Sequence, residues 1–326
     1  MSPNNFIVMD CPKNSRCLIT SYGSAQVDHL FSHSGHRKLT RYKFDLCDIW
    51  QHVENFRRVI HCCQDISPLS AIPRSLQAFI YKIAFRKDVF KMPLSLQWLG
   101  QGGYLIKNGN TSVCIDPYFS DCVEKSSGKK RLVPPPFPAE NLTADLVICT
   151  HDHLDHLDID AVPLFSHGKQ LFAGPDSCCR HFSQLGIDAE RIHPFRRGDS
   201  MEVGGLTLYA VHAEHTKDSI GVIVSHPEAV LYFTADSLYS PKLLEVKKYC
   251  PDIVVTCING KLGNMPVDTA AFLTGELSPK TGIPSHYGMF AENTEDPQKY
   301  TARLDGSPVK AMILEYGKEY PVSSLL

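Results

Sequence analysis

The chain has 326 residues, a formal net charge of −2, and 43% hydrophobic against 21% charged residues. That balance describes a soluble globular protein of one large or two ordinary domains, and it gives no general electrostatic reason to expect a nucleic acid or an anionic membrane as partner. No run approaches the 18 or so apolar residues of a membrane span, and the first residues lack the charged start and apolar stretch of a secretory signal, so the twelve cysteines are expected to be reduced and the compartment to be the cytoplasm.

Residues 1–94 lack a convincing strand alternation and read as a mostly helical extension preceding a domain over residues 95–326. Leu46, Ile49, Trp50, Val53, Phe56 and Ile60 recur at helical spacing, which predicts an amphipathic helix over 44–60. A second is predicted over 76–85, from Leu76, Phe79, Ile80 and Ile83. Such helices suit a cap over the main domain or a subunit contact in a homo-oligomer, and a membrane-binding role is the weaker reading.

From Leu96 the texture changes to short strands with tight turns. Two apolar runs, 95–99 and 104–107, flank Gly100-Gln101-Gly102-Gly103, and Asn108-Gly109 gives a two-residue hairpin signal before Ser112 to Ile115. The glycines fit a hairpin better than a phosphate loop, since no Gly-Lys-Ser/Thr follows. Asp116 closes the last of these strands, as a turn former or as an acceptor that orients a metal ligand. Residues 123–141 read as an irregular loop holding Lys125, Lys129, Lys130 and Arg131 and a proline run.

The densest chemistry follows the apolar strand Leu146 to Cys149. There His151, His153, Asp155 and His156 occur within six residues. A period of two puts His151 and His153 on one side of the extended backbone, and imidazole with carboxylate suits zinc, manganese or iron. With 15 histidines in the chain a lone pair at that spacing means little, but His-x-His-x-Asp-His directly after an apolar strand is rarer.

Short helices are expected over 159–164 and 177–185, with a strand over 170–173 between them. Strands over 205–211 and 220–224 bracket His212 and His215, the strand 230–234 ends at Asp236, and the strand 253–257 opens onto a loop holding Lys261 and Asn264. A helix over 267–277 then leads to Ser285-His286-Tyr287. Strands and helices alternate, which argues for an α/β fold with ligand candidates just past strand ends.

These blocks resemble a metallo-β-lactamase-fold hydrolase over roughly residues 96–314, and most of all the L-ascorbate-6-phosphate lactonase branch. The resemblance rests on Trp98 to Gly103, Asp116, Thr150 to His156, His215, Asp236 to Ser240, and Ile283 to His286. It implies an αβ/βα four-layer sandwich carrying two divalent cations, Mn2+ or Zn2+, with manganese favoured. One would be held by His151, His153 and His215 and the other by Asp155, His156 and His286, with Asp236 bridging. His212 is a rival for His215 at three residues' distance. The flavodiiron branch has Glu where His153 stands, which favours hydrolysis here, and β-lactamases with a cysteine ligand carry it at the place of His215, which speaks against that branch.

Two cations about 3.5 to 4 Å apart bring a shared water toward neutral pKa, so that hydroxide can attack a carbonyl carbon or a phosphorus. Asp155 is the first choice for proton acceptor and Asp236 the second. The expected substrate is a small, anionic, phosphorylated lactone or ester. Arg196, Arg197, Lys129, Lys130, Arg131 and Lys261 are the cations on offer, Lys261 foremost, and Asn264 and Tyr287 are candidate donors to a substrate oxygen, though each also reads as an ordinary loop residue. The alternatives are a phosphodiesterase, including a phospholipase D-like lipid hydrolase, and a non-catalytic metal-binding protein.

Overall fold

A computed structural model describes the strands Ile7–Cys11 (β1), Ser15–Ile19 (β2), Ser24–His33 (β3) and His36–Asp45 (β4), and then residues 94–326. The chain divides into two units, Met1–Lys91 and Met92–Leu326. In the first, β1 to β4 pair antiparallel in chain order, with His33 opposite His36. This corrects the expectation of an extension without strands. The apolar positions there, Val27, Phe31, Tyr42 and Phe44, are interspersed with His, Lys and Arg, so a period of two is faint in the sequence. The helices expected over 44–60 and 76–85 lie outside the described residues, except for Phe44 and Asp45, which belong to β4.

The second unit begins with Leu94–Gly100 (β5), Gly103–Asn108 (β6), Thr111–Ile115 (β7), the helix Cys122–Ser127 (α1) and Leu146–Ile148 (β8). Next come Val162–Phe165 (α2), Leu171–Gly174 (β9), Asp176–Gln184 (α3) and Ile192–Pro194 (β10). A second series holds Ser200–Val203 (β11), Leu206–His212 (β12), Ile220–Ser225 (β13), Val230–Phe233 (β14) and Ile253–Cys257 (β15). It closes with Val267–Leu277 (α4), Thr281–Ser285 (β16), Pro297–Leu304 (α5), Lys310–Ala311 (β17) and Glu319–Pro321 (β18).

The strands form two mixed sheets of seven, in the orders β10-β9-β8-β7-β6-β5-β18 and β11-β12-β13-β14-β15-β16-β17. Strand periodicity decides what lies between them. Leu96, Trp98, Tyr104, Ile106, Val113, Ile115, Leu146 and Ile148 meet Leu206, Leu208, Val222, Val224, Leu231 and Phe233 in one core. The alternate residues of the first sheet, Leu105, Cys114 and Val147, pack instead with Val162 and Phe165 of α2 and Cys178 and Phe182 of α3. Ala270, Leu273 and Leu277 of α4 and Tyr300 and Leu304 of α5 cover the second sheet. Helix, sheet, sheet, helix is the four-layer sandwich, and each large apolar side chain buried in it contributes about 1.5–3 kcal/mol. Because its faces are so filled, trimming Leu96 to alanine would cost about 2–5 kcal/mol.

Local differences from the sequence reading are small. The hairpin after β6 turns at Gly109-Asn110, one residue later than Asn108-Gly109, since Asn108 pairs with Thr111 and Gly109 takes φ +59°. The stretch expected as irregular loop contains α1, which ends at Gly128 with φ +73°.

The parallel pairs place the site. β7 and β8 run parallel, as do β14, β15 and β16. Their carboxyl ends therefore reach common edges, and the residues just beyond those ends are Asp116, His151, Asp236 and His286.

Candidate metal centre

Seven side chains from four segments converge there. His151, His153, His215 and Asp236 form one group whose donor atoms lie within 4.8 Å of one another, and Asp155, His156 and His286 form a second. In the first, His153 Nδ1 is 3.0 Å from His151 Nε2 and 3.2 Å from His215 Nε2. In the second, His156 Nε2 is 3.3 Å from His286 Nε2, and Asp155 Oδ2 is 3.5 Å from His286 Nε2. Asp236 joins the two: Oδ1 lies 3.2 Å from His156 Nε2 and 3.1 Å from His286 Nε2, while Oδ2 lies 3.7 Å from His215 Nε2.

Three of the imidazoles are held by their other nitrogen. His156 Nδ1 is 2.8 Å from Asp116 Oδ2, His215 Nδ1 is 3.0 Å from Gly263 O, and His151 Nδ1 is 3.1 Å from Thr150 Oγ1. Asp116 is itself fixed, accepting the Thr150 N–H and the Thr150 hydroxyl at 2.7 Å each. Outer partners of this kind set the tautomer and leave Nε2 of His151, His156 and His215 turned inward.

The backbone bends to deliver these groups. Gln101, Asp116, Ala235, Leu262 and His286 all have positive φ without being glycine, at 49°, 48°, 54°, 52° and 61°. Left-handed residues of this sort cost about 1–3 kcal/mol each and persist where surrounding structure holds them. Gly102 has a different reason: a Cβ there would come within 2.8 Å of His156 Cε1.

The arrangement fits divalent cations. Three imidazole nitrogens of the first group crowd one another, and a single proton on His153 Nδ1 would have to serve the Nε2 atoms of both His151 and His215. Asp236 Oδ1 is buried and makes no well-directed hydrogen bond, although His156 Nε2 and His286 Nε2 lie 3.2 Å and 3.1 Å away, a placement that suits three groups facing one cation. Imidazole and carboxylate without thiolate are donors for zinc, manganese or iron.

Burial holds His151 and His153 below the ordinary imidazole pKa, with the neighbouring His156 adding to the effect. For His156 and His286 burial acts in the same sense but is overridden by carboxylates, Asp236 foremost. His156 is pushed well up, and His286 to about 9. Burial raises Asp155 and Asp236 less than the two imidazoles lower them, so both stay ionised.

Other candidates fall outside the centre. His212, the rival of His215, pairs with Glu214 Oε2 at 2.9 Å. Asn264 donates to Asn259 Oδ1 at 3.0 Å, and Asn259 donates to Asn293 at 2.7 Å, so these amides pin loops together. Lys261 Nζ donates to Glu292 O at 3.0 Å. Tyr287 is buried, with its ring 4.8 Å from that of Trp98 and its hydroxyl unpartnered. Arg131 donates to carbonyls of Tyr118, Phe119, Ser120 and Val133, Arg196 grips Asp176, and Arg197 donates to Ala213, Thr216 and Ser219. The three arginines offered to a phosphate are thus occupied structurally.

One contributor escaped the sequence reading. Gln101, fully buried, donates from Nε2 to Asp155 Oδ2 at 2.8 Å and lies 3.1 Å from His286 Nε2. Its place between glycines read as turn chemistry, and only the large polar side chain inside a glycine turn hinted at more.

Two mixed sheets between helix layers, with paired His/Asp groups along one edge, define a metallo-β-lactamase-type centre. Residues 111–287, more than half of the chain, match the family described as a Beta-lactamase superfamily domain, and the chain belongs to that family. A UPF0173 metal-dependent hydrolase of Pyrobaculum islandicum is 25% identical over 230 residues, covering 69% of this chain and 98% of the relative. Among solved structures, Igni18, a novel metallo hydrolase from Ignicoccus hospitalis, aligns with a TM-score of 0.58 and 20% identity over 70% of this chain and 97% of its own. An isothiocyanate hydrolase from Delia radicum gut bacteria aligns with a TM-score of 0.59 and 19% identity over 69% and 98%. The chain is accordingly a metal-dependent hydrolase of the metallo-β-lactamase superfamily. Among the described residues no helix is long and apolar enough to cross a membrane.

Proposed function

We propose that the chain is a dinuclear hydrolase of a small lactone or ester, with Zn2+ or Mn2+ at both positions. The observation that carries this reading is Asp236, whose two carboxylate oxygens are turned toward different histidine groups. When bound, the pair of cations would supply a water acidified toward neutral pH and polarise the electrophile's oxygen. His151, His153 and His215 would hold one cation and Asp155, His156 and His286 the other, with Asp236 between them.

The two carboxylates differ in access. The Asp155 side chain is 17% exposed against 6% for Asp236. Asp155 is therefore better placed to take the proton of an attacking water, and its ionised state leaves Oδ1 or Oδ2 able to accept it. Asp236, shut away from solvent, serves as a ligand. Among the cations named above, a phosphate on the substrate would be left to Lys129 or Lys130, because the arginines are engaged and Lys261 donates to Glu292 O.

The test combines elemental analysis with a substrate screen. Protein purified without added metal should carry about two divalent ions per chain, and exhaustive chelation should abolish turnover of lactones with and without a phosphate group. Full turnover by metal-free protein would end this reading. Turnover confined to phosphodiesters would replace it with the phosphodiesterase one.

A further inference from the structure

The turn between β5 and β6 is more firmly fastened than a hairpin requires. The carbonyl of Gln101 accepts from Trp98 Nε1 at 3.1 Å, from the His286 N–H at 3.2 Å and from Ser285 Oγ at 3.2 Å. Ser285 and His286 tie the turn to the end of β16, Trp98 ties it back to β5, and together they hold Gln101 at φ +49°. A residue so constrained has few choices of side-chain direction. Here the amide is directed inward, against Asp155 Oδ2 at 2.8 Å.

Asp155 depends on that contact. Asp116 is held by two bonds from Thr150, whereas Gln101 Nε2 supplies the hydrogen bond to Asp155 that does not come from a histidine. The amide orientation follows from chemistry: turned over, Gln101 would set its own oxygen against a carboxylate. Once His286 Nε2 gives its lone pair to a cation, Asp155 becomes the natural partner of the amide N–H.

We propose that Gln101 is a positioning residue for the second cation: its amide N–H fixes the Asp155 carboxylate in the ligating direction, and thereby sets the affinity of the Asp155–His156–His286 position without touching the His151–His153–His215 position. The inference rests on the two-cation reading above. Gln101 acts through Asp155, to which it donates its N–H.

Zn2+ titration of the metal-stripped full chain against a competing chelator tests it, because the two positions report separately. Gln101→Met keeps the length of the side chain and removes its N–H; Gln101→Ala removes the side chain altogether. Both variants should take up the first Zn2+ with wild-type affinity and the second about 10–100-fold more weakly, the usual scale for losing an outer-sphere partner of a ligand. Wild-type first-ion binding also shows that each variant is folded. If both variants load both ions like the wild type, the positioning role is overturned and the two-cation reading stands. Equal weakening at the two positions would make Gln101 a general structural residue and likewise overturn the proposal. If the wild type itself binds one ion only, the two-cation reading fails first and takes this inference with it.

Discussion

Asp236 faces His286 with one oxygen and His215 with the other, at 3.1 Å and 3.7 Å. A single buried carboxylate therefore belongs to both ligand groups. Asp236→Ala should consequently lower metal content at both positions, from about two ions per chain to below one, and abolish turnover. Elemental analysis of the variant beside the wild type checks this. Loss of one ion with the other fully retained would show that Asp236 serves one position alone.

Asp116 touches no cation position, yet it holds His156 by Nδ1 at 2.8 Å. Asp116→Asn keeps the shape and removes the charge that fixes this tautomer. Metal affinity or activity should fall about 10–100-fold, with the defect concentrated at the position His156 serves. A chelator competition assay and kcat/KM read the two effects.

Gly102→Ala tests how tightly the centre is packed. The new Cβ would lie 2.8 Å from His156 Cε1 and 3.0 Å from Nδ1, and His156 is too well buried to yield freely. Overpacking of this kind costs about 1–3 kcal/mol. Activity should suffer far more than Tm, because the displaced group is a ligand and not a core residue.

The metal-free protein should show a pH dependence that the loaded protein lacks. His286 is at about 9, above its unfolded value near 6.5, so its contribution to stability is complete below about pH 6.5 and is lost as pH rises through about 9. Asp155 is lowered, so its contribution is present above about pH 4 and is lost in stronger acid. Tm of chelated protein should therefore decline between about pH 6.5 and 9. At neutral pH a cation entering the second position must also displace a proton from His286, whereas His151 is already neutral. Calorimetric titration in buffers of different ionisation enthalpy should register that release with one of the two ions.

Much of this centre was legible because its residues violate their surroundings. His151, Asp236 and His286 are polar groups placed just past apolar strands, and Asp116 closes the early hairpin, so periodicity puts all four at strand ends, while the ligand roles of Asp236 and His286 came from the family resemblance. Gln101 was not legible, since its role depends on a left-handed φ and a three-donor carbonyl that no spacing announces. Arg131, Arg196 and Arg197 misled for the complementary reason: charge is visible in a sequence, but the backbone carbonyls that occupy Arg131 and Arg197 and the Asp176 carboxylate that occupies Arg196 are not. Strands β1 to β4 were missed because charged residues interrupt their alternation.

Ala235 sits at φ +54° immediately before Asp236. Glycine tolerates that conformation and alanine does not, at about 1–2 kcal/mol. Ala235→Gly should therefore raise Tm by several degrees while lowering kcat, since the loosened turn would aim Asp236 less well.

Five such contorted positions surround one cradle, and the scaffold around them dictates its shape. Heat resistance and catalytic competence are in that respect rivals in this molecule: every relaxation of those bends would harden the protein and blunt its chemistry. A search for sturdier variants should accordingly begin at the far ends of the sheets, where a change of sequence leaves the aim of the ligands alone.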